Sequence, residues 1–267
     1  MMFSRPELKY AVEAVMKAGR SLLEASGSDS LRVSSFRHDG LPVTEAEQLA
    51  SAAIAEHLRP YGAGILGRGF AVPPYSDRKA WNACWLVDPL DRPGAFLNHD
   101  RDIAVTVALM DSFAPVIGVV YAPMLDDMYL TSPSYGAWYI DGIREAVESG
   151  FSLASVARQL IPQEQGGRYR IINGCGEAGE ALDDFLAQLE EKRPGMEVVH
   201  CQGALGYTAV AAGDAEMYIC GGGAMEWQTS AGHALLNATG KSLTVMDGGG
   251  ELRYNKEELI HPPFIAS

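Results

Sequence analysis

Apolar residues Leu8, Val12, Val15, Met16, Leu22 and Leu23 recur at helical spacing between Pro6 and Glu24, with Glu7, Lys9, Glu13, Lys17 and Arg20 in the intervening positions. That pattern predicts an amphipathic helix. A second helix is predicted from Thr44, where Thr44-Glu45-Ala46-Glu47 has the form of a capping box, through Leu49, Ala53, Ile54 and Leu58 to a stop before Pro60. Cys84 to Asp88, Ile103 to Met110, Val116 to Ala122, Met128 to Thr131 and Ala137 to Ile140 read as strands joined by short polar turns, hence as an antiparallel sheet. The second half alternates instead. Helices are expected at Glu177 to Glu190, Leu205 to Ala212 and Thr229 to Thr239, and strands at Glu197 to His200, Glu216 to Ile219 and Ser242 to Met246. The reading is α+β in two units, residues 1–145 and 146–267, with the junction between Asp141 and Ser155 and no internal repeat.

Composition narrows the classes. The chain has 267 residues, 47% of them hydrophobic, enough for a sizeable core. Its net charge of −13 argues against binding nucleic-acid phosphates or anionic membranes, which need clustered Lys and Arg. The longest apolar runs, such as Ile103 to Met110, fall far short of the roughly 20 residues that span a bilayer, and no leader pattern opens the chain. Cys84, Cys175, Cys201 and Cys220 are widely spaced without a C-x-x-C pair, so reduced thiols in a cytoplasmic protein are expected. A monomer or homodimer that acts on a small molecule fits these limits.

Chemistry concentrates at Trp85-Leu86-Val87-Asp88-Pro89-Leu90-Asp91-Arg92-Pro93. A strand ending on Asp-Pro-Leu-Asp sets two carboxylates and the Leu90 carbonyl at a sheet edge, a donor set suited to Mg²⁺. The same residues also make a turn that caps a helix, and spacing alone leaves both readings open. Other motifs carry less. Gly62 to Gly67 spells G-x-G-x-x-G but follows a helix end and runs into Pro73-Pro74, so it is not a dinucleotide loop. No G-x-S-x-G elbow is present, and the six histidines never reach H-E-x-x-H spacing. His233 lies in an apolar helix and is expected in the core, Asn98 to Asp102 as a solvated turn, and Gly221 to Gly223 as a loop.

Three stretches together carry a family resemblance: Asp88-Pro-Leu-Asp91, Glu226-Trp227-Gln228-Thr229-Ser230-Ala231-Gly232-His233-Ala234, and Tyr254-Asn255-Lys256 leading to Pro262-Pro263-Phe264. The chain resembles the inositol monophosphatase superfamily, and within it the bacterial 3′(2′),5′-bisphosphate nucleotidases of sulfate assimilation. Leu41 to Ala46, Arg78-Lys79-Ala80-Trp81 and Gly118 to Met124 fit as well, so the likeness runs nearly end to end. It implies a layered αβαβα sandwich and a Mg²⁺-dependent phosphatase site between its halves. In that family Mg²⁺ bridges the substrate phosphate and activates a water.

Carried over position by position, the resemblance implies metal ligation by Asp88, the Leu90 carbonyl and Asp91, which are retained. The family's ligand Glu is Arg68 here, and its ligand Asp after the tryptophan is Gln228. The water-orienting Thr is Pro93, the preceding Gly is Arg92, and the second water-orienting acid falls on Glu47, which the capping box also explains. The substrate-holding G-S-S segment reads Gly203-Ala204-Leu205, and Glu226 is a further substrate-side candidate.

The family's set carries four negative charges, whereas Arg68, Asp88, Asp91, Arg92 and Gln228 sum to zero. A guanidinium can take a carboxylate bidentately and occupy the room of a lost ion. A cation a few ångströms from an arginine would be repelled by about 4 kcal/mol per unit charge at an effective dielectric near 20. Pro93 removes an N–H and a hydroxyl at a helix start where proline is structurally benign. The expectation is therefore an inactive or strongly impaired homologue that binds an anionic metabolite through Arg68 and Arg92, or serves as a partner subunit, and needs no cofactor. The alternative is an active Mg²⁺-dependent phosphomonoesterase that uses Asp88 and Asp91 with Glu226 or Glu47 as substitute ligands.

Overall fold

Along the strands of the first half, successive residues enter opposite cores. Trp85, Val87, Val105, Val107 and Leu109 join one cluster, and Cys84, Leu86, Ala104, Ala108 and Met110 the other. Both faces of this sheet are covered, which is why its strands read as unbroken apolar runs. The computed structural model describes residues 5–27, 33–36, 42–162, 167–175, 180–201 and 203–267. Residues 1–4, Leu41 and 177–179, which entered the sequence reading, lie outside them.

Helix α1 (Pro6–Ser26) begins on a proline, whose missing N–H costs nothing there. Strands β1 (Val33–Phe36) and β2 (Pro42–Thr44) form an antiparallel ribbon that leads into α2 (Glu45–Leu58). The predicted cap is present: Glu47 N–H donates to Thr44 Oγ1 at 3.1 Å. Next come β3 (Gly64–Gly67), α3 (Tyr75–Arg78), β4 (Ala83–Asp91), α4 (Pro93–Leu97), β5 (Ala104–Asp111), β6 (Ala114–Ala122), β7 (Asp127–Ser132) and β8 (Gly136–Asp141). Short helices α5 (Ile143–Glu148) and α6 (Leu153–Val156) then lead to β9 (Arg158–Gln159).

Strands β3 to β9 form one seven-stranded sheet in chain order, antiparallel throughout except for the parallel β3–β4 pair. This sheet runs past residue 145. The G-x-G-x-x-G segment contributes strand β3 rather than a loop.

The second half supplies β10 (Arg170–Cys175), α7 (Glu180–Lys192), β11 (Glu197–His200), α8 (Ala204–Ala212), β12 (Met217–Cys220), α9 (Glu226–Ala238), β13 (Leu243–Val245) and β14 (Phe264–Ala266). Its five-stranded sheet has the order β11-β10-β12-β14-β13, parallel over the first three strands and antiparallel beyond. Helices α1 and α2 cover the outer face of the first sheet, α8 and α9 fill the space between the sheets, and α7 covers the second sheet through Leu182, Ile171 and Ile219. This is the expected α+β sandwich with layers αβαβα. One core, containing Leu86 and Val120 with Tyr207, Leu235 and Phe264, joins the two sequence-defined units.

Cys84 and Cys201 are free, but Cys220 is disulfide-bonded, which corrects the expectation of wholly reduced thiols. Among the described residues no helix is long and apolar enough to cross a membrane. Helix α9 lies flat on β6 at Gly118, where a Cβ would come within 2.5 Å of the Ala231 carbonyl oxygen and 2.9 Å of Ala234 Cβ. Gly118→Ala should therefore cost about 1–3 kcal/mol through overpacking, read as a lower urea midpoint with an unchanged slope.

His233 and His261 are buried on a chain of hydrogen bonds. His233 Nδ1 meets Tyr254 OH at 3.0 Å, Tyr254 OH meets Thr229 Oγ1 at 3.0 Å, and Thr229 Oγ1 meets His261 Nε2 at 3.1 Å. Burial pulls the His233 pKa down to about 4, and burial, reinforced by Lys256, takes His261 to about 3. Below pH 6.5 the unfolded chain gains protons that the folded chain refuses, so stability should fall as pH drops from about 6.5 toward 4. Urea titrations at pH 7 and pH 5 should show that loss in the wild type and a smaller one in His233→Gln.

Candidate active site

Strand β4 carries the Asp-Pro-Leu-Asp segment, and its register with β5 slips there. Asp88 pairs with Thr106 but Asp91 with Ala104, one residue too many on β4. Such a bulge bends the strand and re-aims its side chains, here bringing Asp88 and Asp91 to one end of the sheet. Both are buried, at 0% and 3% exposure. Parallel strand β3 ends beside them, where Arg68 N–H donates to the Val87 carbonyl at 3.0 Å.

That placement delivers the Arg68 side chain to Asp88. Arg68 Nε donates to Asp88 Oδ1 at 2.7 Å and Nη2 to Oδ2 at 3.3 Å, a bidentate pair, with Arg68 itself 7% exposed. Burial alone would lower the arginine pKa, but Asp88, Asp91 and Glu47 together raise it. Glu47, buried in α2, thus adds negative potential at the pair.

Asp91 is satisfied from the other side, by the start of α8. Its Oδ2 accepts the Ala204 N–H at 2.6 Å. The close approach depends on Gly203, at φ 84 and ψ −164, where a Cβ would collide with the Asp91 carboxylate. Burial first and the Asp88 charge second push the Asp91 carboxyl up to about 6, against the opposing pull of the Ala204 N–H, Arg68 and Arg92.

Arg92 sits at φ 62 just ahead of α4, a left-handed conformation that explains the glycine the family resemblance implies there. Its Nη1 donates to the Asp102 carbonyl at 2.9 Å, in the exposed turn expected at Asn98 to Asp102. Pro93 is the first residue of α4. Gln228 points back rather than toward the aspartates, its Oε1 accepting the Met225 N–H at 2.8 Å as a helix cap.

Glu226, expected at the substrate, is fully buried and spoken for within the chain. Its oxygens accept from Asn255 N–H at 2.6 Å, Lys256 N–H at 3.0 Å and Lys256 Nζ at 2.8 Å. Burial raises its carboxyl pKa and Lys256 opposes the rise. Asn255 in turn exchanges side-chain hydrogen bonds with Arg78, at 2.9 Å to Nη1 and 2.8 Å to the carbonyl. The Arg78 to Trp81, Glu226 to Ala234 and Tyr254 to Lys256 stretches thus meet in one clamp at the start of α9. Sequence reasoning noted each stretch but not their junction.

These donors do not suit a divalent ion. The Arg68 guanidinium is forked on both Asp88 oxygens and would repel a cation there, the Gln228 carbonyl is turned into a helix cap, and the described residues contain no cluster of three or more His, Cys, Asp or Glu able to hold a metal. No hydrolytic step through a metal is derived for this geometry.

The chain belongs to the inositol monophosphatase family, which matches it over residues 4–264. It is similar to the 3′(2′),5′-bisphosphate nucleotidase CysQ of Shigella flexneri, 28% identical over 97% of this chain and 99% of that one. CysQ of Aggregatibacter actinomycetemcomitans is 30% identical over 86% and 81%. Among solved structures, CysQ from Bacteroides thetaiotaomicron superposes with a TM-score of 0.86 at 24% identity over 100% of this chain and 98% of that one. The extragenic suppressor protein suhB from Bartonella henselae gives 0.76 at 22% identity, covering 98% and 94%.

Removing Arg68 leaves the buried Asp88 without the guanidinium forked on it. Arg68→Met should cost about 3–5 kcal/mol in urea denaturation, and Arg68→Met with Asp88→Leu should recover most of it.

Proposed function

We propose that this chain is a metal-independent, hydrolytically silent member of the inositol monophosphatase family that binds a small phosphorylated anion in the cleft beside Asp91. The bidentate Arg68–Asp88 pair carries this reading, because it fills the space and supplies the charge that a metal ion would bring. Pro93 and Gln228 support it: one has no hydroxyl to orient a water, and the other spends its carbonyl on a helix cap. With Arg68 committed to Asp88, the half-buried Arg92 is the cation left to meet a ligand. Protein of this kind needs no Mg²⁺ to fold or to bind, and a cytoplasmic setting follows from the resemblance to nucleotidases of sulfate assimilation.

Adenosine 3′,5′-bisphosphate is the probe. Calorimetry in a chelator should show it binding wild type and binding Arg92→Ala several-fold more weakly, while phosphate release in saturating Mg²⁺ stays at background. Combining Arg68→Glu, Arg92→Gly, Pro93→Thr and Gln228→Asp should bring release above background. Mg²⁺-dependent turnover by the wild type would establish instead the active phosphomonoesterase that retains Asp88 and Asp91 as ligands, and absence of binding would remove the ligand assignment.

A further inference from the structure

On the far side of the first sheet's helical cover, a cavity of about 900 Å³ opens between α1 and the α5–α6 segment. Its size falls within the range of small-molecule sites. None of Arg68, Asp88, Asp91, Arg92 or Gln228 lines it. The walls are apolar: Val12, Met16 and Leu23 of α1 face Val147 of α5 and Leu153 of α6, over a floor that includes Tyr121 of β6. Met16 and Leu23 are only partly buried and Val147 is half-exposed, so this surface remains open to a ligand. An unbranched methionine in such a wall adapts to a flexible chain.

Charge at the mouth runs against that of the whole molecule. Four cationic side chains line the cavity against two carboxylates, in a protein of net charge −13. Arg144 is held by Asp126 at 2.9 Å, and Lys9 by Glu13 at 3.8 Å. Lys17 and Arg20 are different. They lie three residues apart on one face of α1, both exposed, and neither makes an ion pair among the described residues. Two exposed cations beside an apolar wall, with no ion pair among the described residues, can both meet one anionic head, and the wall offers that anion's carbon body a place out of water.

We infer that this cavity is a binding site for an amphipathic monoanion, an aliphatic carboxylate whose chain lies along Met16, Leu23, Val147 and Leu153 and whose head is taken by Lys17 and Arg20. The site is separate from the Asp88 cleft, so it stands whether or not the chain hydrolyses a phosphate.

Dodecanoate is the probe, titrated into the full chain below the concentration that alters its near-ultraviolet circular dichroism. Calorimetry should show one dodecanoate per chain, no binding of dodecyltrimethylammonium, and weakening as salt is raised. Lys17→Glu with Arg20→Glu should weaken binding roughly tenfold or more while leaving the thermal midpoint in place, since both side chains are exposed. Met16→Trp, which narrows the cavity at its apolar wall, should weaken it as well without touching the charges. Absence of dodecanoate binding, equal affinity for the cationic amphiphile, or binding undiminished in both variants would overturn the assignment. So would a wild-type chain that light scattering finds dimeric and that Met16→Trp makes monomeric, because the face would then belong to a second copy.

Discussion

A carboxylate with almost no solvent exposure needs partners for both oxygens, and at Asp88 that partner is a guanidinium. The rest of the site is arranged around this pair. Strand β3 must end beside β4 to deliver Arg68, and the backbone bond from Arg68 N–H to Val87 pins that end in place. A fork of two N–H groups on two carboxylate oxygens pairs the anion and sets a positive charge where a metal ion would sit. Guanidinium and magnesium are thus competing occupants of the same oxygens. In the proposed reading Arg68 acts against a metal twice, by standing where the family resemblance implies a ligand and by adding a like charge.

The same economy recurs at the neighbouring positions, each of which has taken a structural task. Pro93 starts a short helix, Gln228 caps a long one, and Gly203 with Ala204 lets the start of α8 settle on Asp91. Glu226 ties α9 to the loop at Asn255 and Lys256. Of these bonds, the one from Ala204 N–H to Asp91 crosses between the halves of the sandwich. The local charge balance matters here, and the overall charge of −13 belongs to the surface.

Much of this was readable from the chain. The α1 stripe from Leu8 to Leu22, the Thr44 cap and the long strands around Trp85, Val107 and Val119 follow their periodicity because burial there is regular. Strands β10 and β14 escaped notice for physical reasons: β10 contains Asn173-Gly174, which reads as a turn, and β14 is three residues long after two prolines. Strand β9, two exposed residues, has no pattern to detect. At the site, the retained aspartates and the intruding Arg68 stood out by resemblance, whereas the bulge between Asp88 and Asp91 depends on pairing with β5 and leaves no mark in composition. The bonds of Glu226 to Asn255 and Lys256 were not legible because those partners lie about thirty residues downstream, a separation that local reading does not bridge.

The central claim is that Arg68 holds the place of a metal. The most direct test is a crystal grown in millimolar Mn²⁺ and measured for its anomalous signal. The account predicts no anomalous peak at Asp88 or Asp91, with Arg68 still forked on Asp88. A strong peak bridging the two aspartates, with the Arg68 side chain swung away, would contradict it.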